Sequence, residues 1–155
     1  MNEAHIHLLL NHSPILGSLF GAVLLLVAVL RRHEVLVRTG LITLVVAAAL
    51  AIPTQLSGEG AEEVVEDRPG VSEALIEKHS EAADVAFWTI EVTAALGLVS
   101  LLLLRRRPAQ GVLLTRLTLA GALVSFGLLA RVGSLGGQSM HPETRNDALS
   151  NKLGK

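Results

Sequence analysis

Histidine is the residue type in this sequence best suited to bind a cofactor. His7 and His12 open the chain in the run HIHLLLNHSPI, just before a long apolar segment, and His79 and His141 follow far along it. Imidazole binds haem iron, copper and zinc, and helical bundles build such sites from side chains on facing helices. We therefore predict a cofactor held by two of His12, His79 and His141, or a metal site formed by His7, His12 and His79.

The first histidine cluster also has a purely structural interpretation. Asn11 or Ser13 would cap a helix, and Pro14 would occupy its first turn, where the missing N–H of proline costs nothing. His12 would then be a hydrogen-bonded residue at the edge of a membrane rather than a ligand. The arrival of histidines from three parts of the chain favours the ligand interpretation.

The absence of cysteine restricts the chemistry further. Iron–sulfur clusters, thiolate zinc sites and covalently attached c-type haem all require cysteine. Any bound group is therefore held by histidine, carboxylate or methionine. This leaves haem b as the expected cofactor, with copper or zinc as the alternative.

Glu91 is an acidic residue inside an apolar segment, where an unpaired carboxylate is costly and usually functional. On the next apolar segment Arg131 lies at a comparable distance from the segment's end. We therefore predict a Glu91–Arg131 charge pair, and we expect Thr89, Thr93 and Gln55 to complete a polar pocket. The alternatives are a proton-handling carboxylate near a redox centre, or Arg131 as the partner of a haem propionate.

Four apolar segments must position these side chains, at about residues 13–30, 36–55, 85–104 and 112–134. Each is close to the ~20 residues that a helix needs to cross the ~30 Å hydrocarbon layer of a bilayer, and none alternates like a barrel strand. Only 17% of the residues are charged, which is below the ~25% of soluble domains. We predict an all-α chain that forms a four-helix transmembrane bundle.

Charge along the chain predicts its orientation in the membrane. Arginines follow the first and third segments, in the runs RRHEVLVR and LRRRPAQ, whereas nearly all acidic residues lie elsewhere. Positively charged loops stay in the cytoplasm, so we expect both termini on the outer side. The helix-favouring run 72–88 predicts a third helix that extends above the membrane. The transmembrane domain then covers 1–137, with an outer acidic loop at 56–84, and 138–155 form a polar outer tail.

We interpret the acidic outer loop as a charged binding surface rather than a metal site. Its carboxylates lack the Glu-x-x-His spacing of di-metal carboxylate centres, so we interpret them as solvated. Such a surface attracts a basic soluble partner, for example a small cytochrome. We expect no nucleic-acid partner.

The opening of the chain resembles the His-x4-His-x-Pro-Ile opening of a bacterial family of four-helix membrane domains of unknown function. The matching residues are His7, His12, Pro14 and Ile15. That family also has a histidine near the start of its third helix, as at His79, and a glycine-rich end to its fourth helix, similar to GSLGG at 133–137. Some of its domains are joined to Rieske or c-type cytochrome domains. The resemblance covers about residues 5–137 and implies a bacterial plasma-membrane protein with b-type haem in a redox context.

These features lead to two main hypotheses of function. In the first, the protein is a b-type haem electron-transfer protein with its site at the outer face, exchanging electrons with a quinol or a membrane partner. In the second, it is a cofactor-free accessory subunit of a larger respiratory or photosynthetic membrane complex. A copper- or zinc-binding membrane protein is a further alternative. In each case we expect a carrier, a subunit or a binding protein rather than an enzyme.

Overall fold

A computed structural model of the chain describes residues 3–66 and 71–144, and every regular element within these two ranges is helical. The elements are α1 (Glu3–Leu10), α2 (His12–Arg31), α3 (Glu34–Leu56), α4 (Gly58–Glu66), α5 (Glu73–Arg106), α6 (Pro108–Met140) and a short 3-10 helix (Pro142–Thr144). The four predicted apolar segments lie inside α2, α3, α5 and α6, so the all-α prediction is confirmed. Residues 67–70 of the predicted loop and 145–155 of the predicted tail lie outside the described ranges.

Four helices, α2, α3, α5 and α6, are long and apolar enough to cross a bilayer, which indicates a multi-pass membrane protein. Helix α5 has 34 residues, or about 51 Å at a rise of 1.5 Å per residue. That length exceeds the ~30 Å hydrocarbon layer. Because α5 begins at Glu73, its first turns extend beyond the apolar stretch predicted at 85–104.

The four long helices form a closed ring in which α2 contacts α3, α3 contacts α5, α5 contacts α6, and α6 returns to α2. Successive helices run in opposite directions. Gly21 of α2 lies against Leu44 of α3, and Gly97 of α5 lies near Leu41 of α3. The arrangement is therefore an up-and-down four-helix bundle.

Helices α5 and α6 pack in a regular register. Their buried positions recur at alternating spacings of three and four residues, as in a coiled coil. These positions include Ala86, Ile90, Thr93, Gly97 and Ser100 in α5, and Gly111, Thr115, Thr118, Ala122, Ser125 and Leu129 in α6. Small side chains at these positions let the two backbones approach closely, which is a common basis of helix association in membranes.

Hydroxyl groups inside this interface are hydrogen-bonded. Ser100 Oγ lies 2.8 Å from Thr115 Oγ1 and donates to the carbonyl of Gly111 at 2.9 Å, and Thr93 Oγ1 lies 3.3 Å from Ser125 Oγ. Many of the large aliphatic side chains of the bundle point outward instead and are exposed. An interior of small and hydroxyl side chains inside an apolar exterior fits lipid as the surrounding medium.

The two ends of the bundle differ in composition. One end, which we call the arginine end, carries the arginines of the α2–α3 and α5–α6 connections and of the helix ends beside them. These are Arg31, Arg32, Arg38, Arg105, Arg106 and Arg107. The other end, the cap end, is covered by α1 and α4, which lie against each other and against the end of α3. Glu3 of α1 packs directly on the backbone of Gly60 in α4. The cap end therefore contains the elements that carry His7 and His79.

Candidate functional site

His7 is held by the end of α3. Its Nδ1 atom lies 3.0 Å from the backbone carbonyl oxygen of Thr54, and the side chain is half-buried between α1 and α3. A carbonyl oxygen only accepts hydrogen bonds, so Nδ1 of His7 is the protonated nitrogen. In the neutral imidazole, Nε2 then keeps its lone pair and can coordinate a metal ion.

His79 is held in the same way by α6. Its Nδ1 atom donates to the carbonyl oxygen of Val132 at 3.0 Å, and the ring is half-buried. Gly136, one turn further along α6, makes room for the ring. A Cβ atom at this glycine would lie 3.1 Å from Cε1 of His79 and 3.3 Å from Nδ1. The ring is therefore fixed in orientation, and its Nε2 also keeps a lone pair.

The two anchored histidines belong to one neighbourhood at the cap end. His7 and Glu62 both lie close enough to His79 for their charges to interact with it. Three separate helices, α1, α4 and α5, supply these side chains, and α3 and α6 supply the carbonyl acceptors. The structure thus places His7 and His79, two of the three residues predicted to form a metal site, at the same end of the bundle.

The other two predicted ligands, His12 and His141, are exposed. His12 Nδ1 is hydrogen-bonded to the side chain of Asn11, and His141 Nδ1 lies 3.0 Å from Glu143 Oε1. The backbone stays helical through Asn11, so His12 follows His7 by five residues of continuous helix, a rotation of about 140°. His12 therefore points away from the face on which His7 lies.

No three histidine, aspartate or glutamate side chains group closely enough to hold a metal ion in the residues that the structure describes. A cavity of about 350 Å³ opens between α4 and the start of α5. It is lined by Glu62, Glu73, Ala74, Ile76 and Glu77. Three of these five residues carry carboxyl groups, so the cavity suits water, and neither His7 nor His79 lines it.

The predicted Glu91–Arg131 pair does not form in the structure. Within residues 3–66 and 71–144 the one ion pair joins His141 to Glu143, and Oε1 of Glu91 is buried without a hydrogen-bond partner. The register of the two helices explains this. Thr93 lies opposite Gly121, and continuing the register outward places Arg131 opposite Asp84. Asp84 is seven residues, or about 10 Å of helix axis, away from Glu91.

Gln55, the residue predicted to lie near Glu91, instead bonds Asp84. Its Nε2 atom donates to Asp84 Oδ1 at 2.7 Å and joins the end of α3 to α5. Sequence reasoning also missed the acceptors at Thr54 and Val132, because both are backbone carbonyls, which any residue type supplies. The glycine-rich end of α6 was the one available signal for the His79 contact.

Comparisons with models of protein families, with curated proteins and with solved structures found no match to this chain. Its function is therefore inferred from its own residues.

Proposed function

We propose that the protein is a membrane electron-transfer protein that holds a b-type haem at the cap end through Nε2 of His7 and Nε2 of His79. One observation carries this proposal: each imidazole donates Nδ1–H to a backbone carbonyl, so that Nε2 is the nitrogen left to bind a metal. Histidines that bind metals almost always donate their other ring N–H in this way, because the bond fixes the tautomer and the ring orientation and makes the ligand more basic.

The number of anchored imidazoles favours haem over a bare metal ion. Structural zinc requires four protein ligands and catalytic zinc three, whereas haem iron takes only axial ligands from the protein. Two anchored histidines, with no third ligand grouped around them in the described ranges, match the number of protein ligands that haem iron takes.

The residues of the chain would set the properties of the bound group. Haem b supplies a one-electron couple, and its potential depends on axial ligation, hydrogen bonding and nearby charge. The hydrogen bond to the carbonyl of Val132 would make the His79 imidazole a stronger electron donor to the iron. The carboxylate of Glu62, within charge range of His79, would stabilise the oxidised form of the haem, which is the more positive one. Replacing Glu62 by glutamine is therefore expected to raise the reduction potential.

We also propose that the cap end faces the outer side of a bacterial plasma membrane, with both termini on that side. The arginine end supports this, because positively charged loops remain in the cytoplasm. Exposed carboxylates surround the cap end instead, among them Glu59, Glu63, Glu73, Glu77 and Glu81. Such a surface would attract a basic soluble electron carrier, such as a small cytochrome, with an association rate that falls as salt is added.

An absorption spectrum tests the haem proposal directly. The protein is purified in detergent from cells supplied with haem, and spectra are taken oxidised and after reduction with dithionite. A sharp reduced band of the b type is expected, and it should disappear in both His7→Ala and His79→Ala. The matched controls are His12→Ala and His141→Ala, which remove exposed histidines and should keep the band.

A second measurement separates lost ligation from lost folding. In His79→Gly, added imidazole should restore part of the band, because free imidazole can occupy the space left by the side chain. Circular dichroism of every variant reports its helix content. A wild-type protein that carries no haem under these conditions, or a band that survives in both His7→Ala and His79→Ala, would overturn the proposal.

A second candidate is a copper or zinc site in which His7 and His79 supply two imidazole ligands. Because no third histidine, aspartate or glutamate groups with them in the described ranges, the remaining ligands would come from outside these residues. Stoichiometric copper or zinc in the purified protein, lost in both His7→Ala and His79→Ala, would select this candidate. Neither haem nor metal, together with co-purifying membrane proteins, would select the cofactor-free accessory subunit.

A further inference from the structure

Arg131 of α6 is a charged residue that the cap-end site does not use. Its side chain is exposed, and no ion pair joins it to a carboxylate of the described residues. Ser125 and Leu129 of the same helix are buried in the bundle. Arg131 follows Leu129 by two residues, which is a rotation of about 200° around the helix. Its side chain therefore points away from the interior of the bundle.

The depth of Arg131 in the membrane follows from the register of the helices, which places it level with Asp84 of α5. Val85 and Trp88 are the first large apolar side chains exposed along α5, at 57% and 67%. Tryptophan is enriched at the boundary between the hydrocarbon layer and the headgroups. Arg131 lies about 6 Å closer to the cap end than Trp88 does, which is the depth of the lipid phosphate groups.

We propose that Arg131 and Ser134 bind the phosphate group of an anionic phospholipid on the exposed face of α6. A guanidinium group can donate two parallel hydrogen bonds to one phosphate. Ser134 is also exposed and, three residues further along, shares this face of the helix. Its Oγ atom accepts a hydrogen bond from Gln138 Nε2 at 3.2 Å, so its own O–H remains to donate to a phosphate oxygen.

The part of this face that lies deeper in the membrane leaves space for an acyl chain. Gly127 and Ala130 are exposed, and a Cβ atom at Gly127 would meet nothing within 4 Å. Small residues would also admit a helix of another protein, but the charge of Arg131 favours the lipid. Phosphate is present at this depth in every phospholipid bilayer, whereas a partner helix would have to supply its own carboxylate.

A second copy of the chain is a poorer occupant for the same reason. Two copies paired symmetrically through this face would bring their Arg131 side chains together, and like charges repel. The proposed lipid site does not require haem at His7 and His79, so the two proposals can fail independently.

Native mass spectrometry counts bound lipids directly. The protein is titrated with phosphatidylglycerol in a neutral detergent, and the dissociation constant of the first bound lipid is measured. Arg131→Gln should raise this constant about five-fold, which corresponds to the loss of one cation near an anionic lipid surface. Phosphatidylcholine should bind the wild type more weakly than phosphatidylglycerol does, because its choline group cancels the charge of the phosphate.

Lys78→Gln is the matched control, because it removes the same charge from an exposed position of α5. Lys78 precedes Val85 by seven residues, about 10 Å of helix axis, so it lies beyond the headgroups. This variant should leave the dissociation constant unchanged, and a circular dichroism melting curve establishes that each variant is folded.

Three results would overturn the proposal. The first is an equal dissociation constant for phosphatidylglycerol in the wild type, Arg131→Gln and Lys78→Gln. The second is displacement of the lipid by inorganic phosphate at the same concentration, which would indicate a site for a soluble anion. The third is a dimer or a co-purifying membrane protein that is lost in Arg131→Gln, which would assign this face to a helix.

Discussion

The imidazole of His79 lies against the backbone of Gly136, so that a Cβ atom there would come within 3.1 Å of Cε1 of the ring. The same ring donates from Nδ1 to the carbonyl of Val132, four residues earlier in α6. A histidine on one helix and a glycine on another, far apart in sequence, thus form a single contact. The contact explains how an imidazole can approach a helix backbone closely enough to bond a carbonyl.

This contact predicts that Gly136→Ala destabilises the protein. The added methyl group displaces the His79 ring by a few tenths of an ångström and weakens its bond to Val132, at an expected cost of about 1 to 2 kcal/mol in the free energy of unfolding relative to an alanine substitution at a glycine with open space. The measurement is a denaturant titration in detergent micelles, followed by circular dichroism.

Gly137→Ala is the control, because a Cβ at Gly137 meets nothing within 4 Å. That variant should gain up to about 1 kcal/mol from the better helix propensity of alanine. Equal effects of the two substitutions would contradict the contact.

The buried hydroxyls of Ser100 and Thr115 should be energetically coupled. They lie 2.8 Å apart between α5 and α6, and interhelical hydrogen bonds of this kind contribute about 0.6 kcal/mol on average in membrane proteins. A double-mutant cycle with Ser100→Ala and Thr115→Val should return a coupling of roughly that size. The same cycle applied to Ser100 and the distant, exposed Thr39 should return none. A coupling for Ser100 and Thr115 that is indistinguishable from that control would mean that the bond contributes nothing.

Glu91 and Arg131 should not be coupled. The register of α5 and α6 separates them by about 10 Å along the helix axis, and no ion pair joins them. In a double-mutant cycle with Glu91→Gln and Arg131→Gln, the effects on unfolding free energy should add to within about 0.5 kcal/mol, as for independent sites. A coupling of about 1 kcal/mol or more would restore the charge pair that the sequence predicts.

Labelling of single cysteines would establish the orientation in the membrane. The natural chain has no cysteine, so each introduced thiol is unique. With the cap end outside, Glu59→Cys should react with a membrane-impermeant maleimide in intact spheroplasts. Gln110→Cys, an exposed position at the arginine end, should react only after lysis. The reverse pattern would place the cap end in the cytoplasm and contradict the positive-inside assignment.

The sequence predicted the helices well, because the information for them is local. Runs such as 13–30 and 36–55 are apolar along their whole length, and a backbone in lipid has to satisfy its own hydrogen bonds as helix. The early start of α5 was equally visible, since nothing in the run after Ser72 breaks a helix. These features depend on neighbouring residues in the chain, and no knowledge of packing was needed.

Which histidines the bundle holds in place was predicted only in part. His7 and His79 were both named as candidate ligands, and the structure bonds both to backbone carbonyls. His12 and His141 were named with them, yet both are exposed. Spacing in the chain shows which helix carries a residue, but it does not show which side of that helix meets a neighbour.

The sequence by itself determined four apolar helices, an arginine-rich end opposite an acidic end, and histidines concentrated near the acidic end. Tertiary structure alone decided which of those histidines are anchored, and it separated Glu91 from Arg131. The physical reason is that rotation and axial register are set by contacts between helices, such as Thr93 on Gly121 and His79 on Gly136. Such contacts form where small residues let two helix backbones approach each other. This is a property of the two helices together, so the sequence of either helix alone does not determine it.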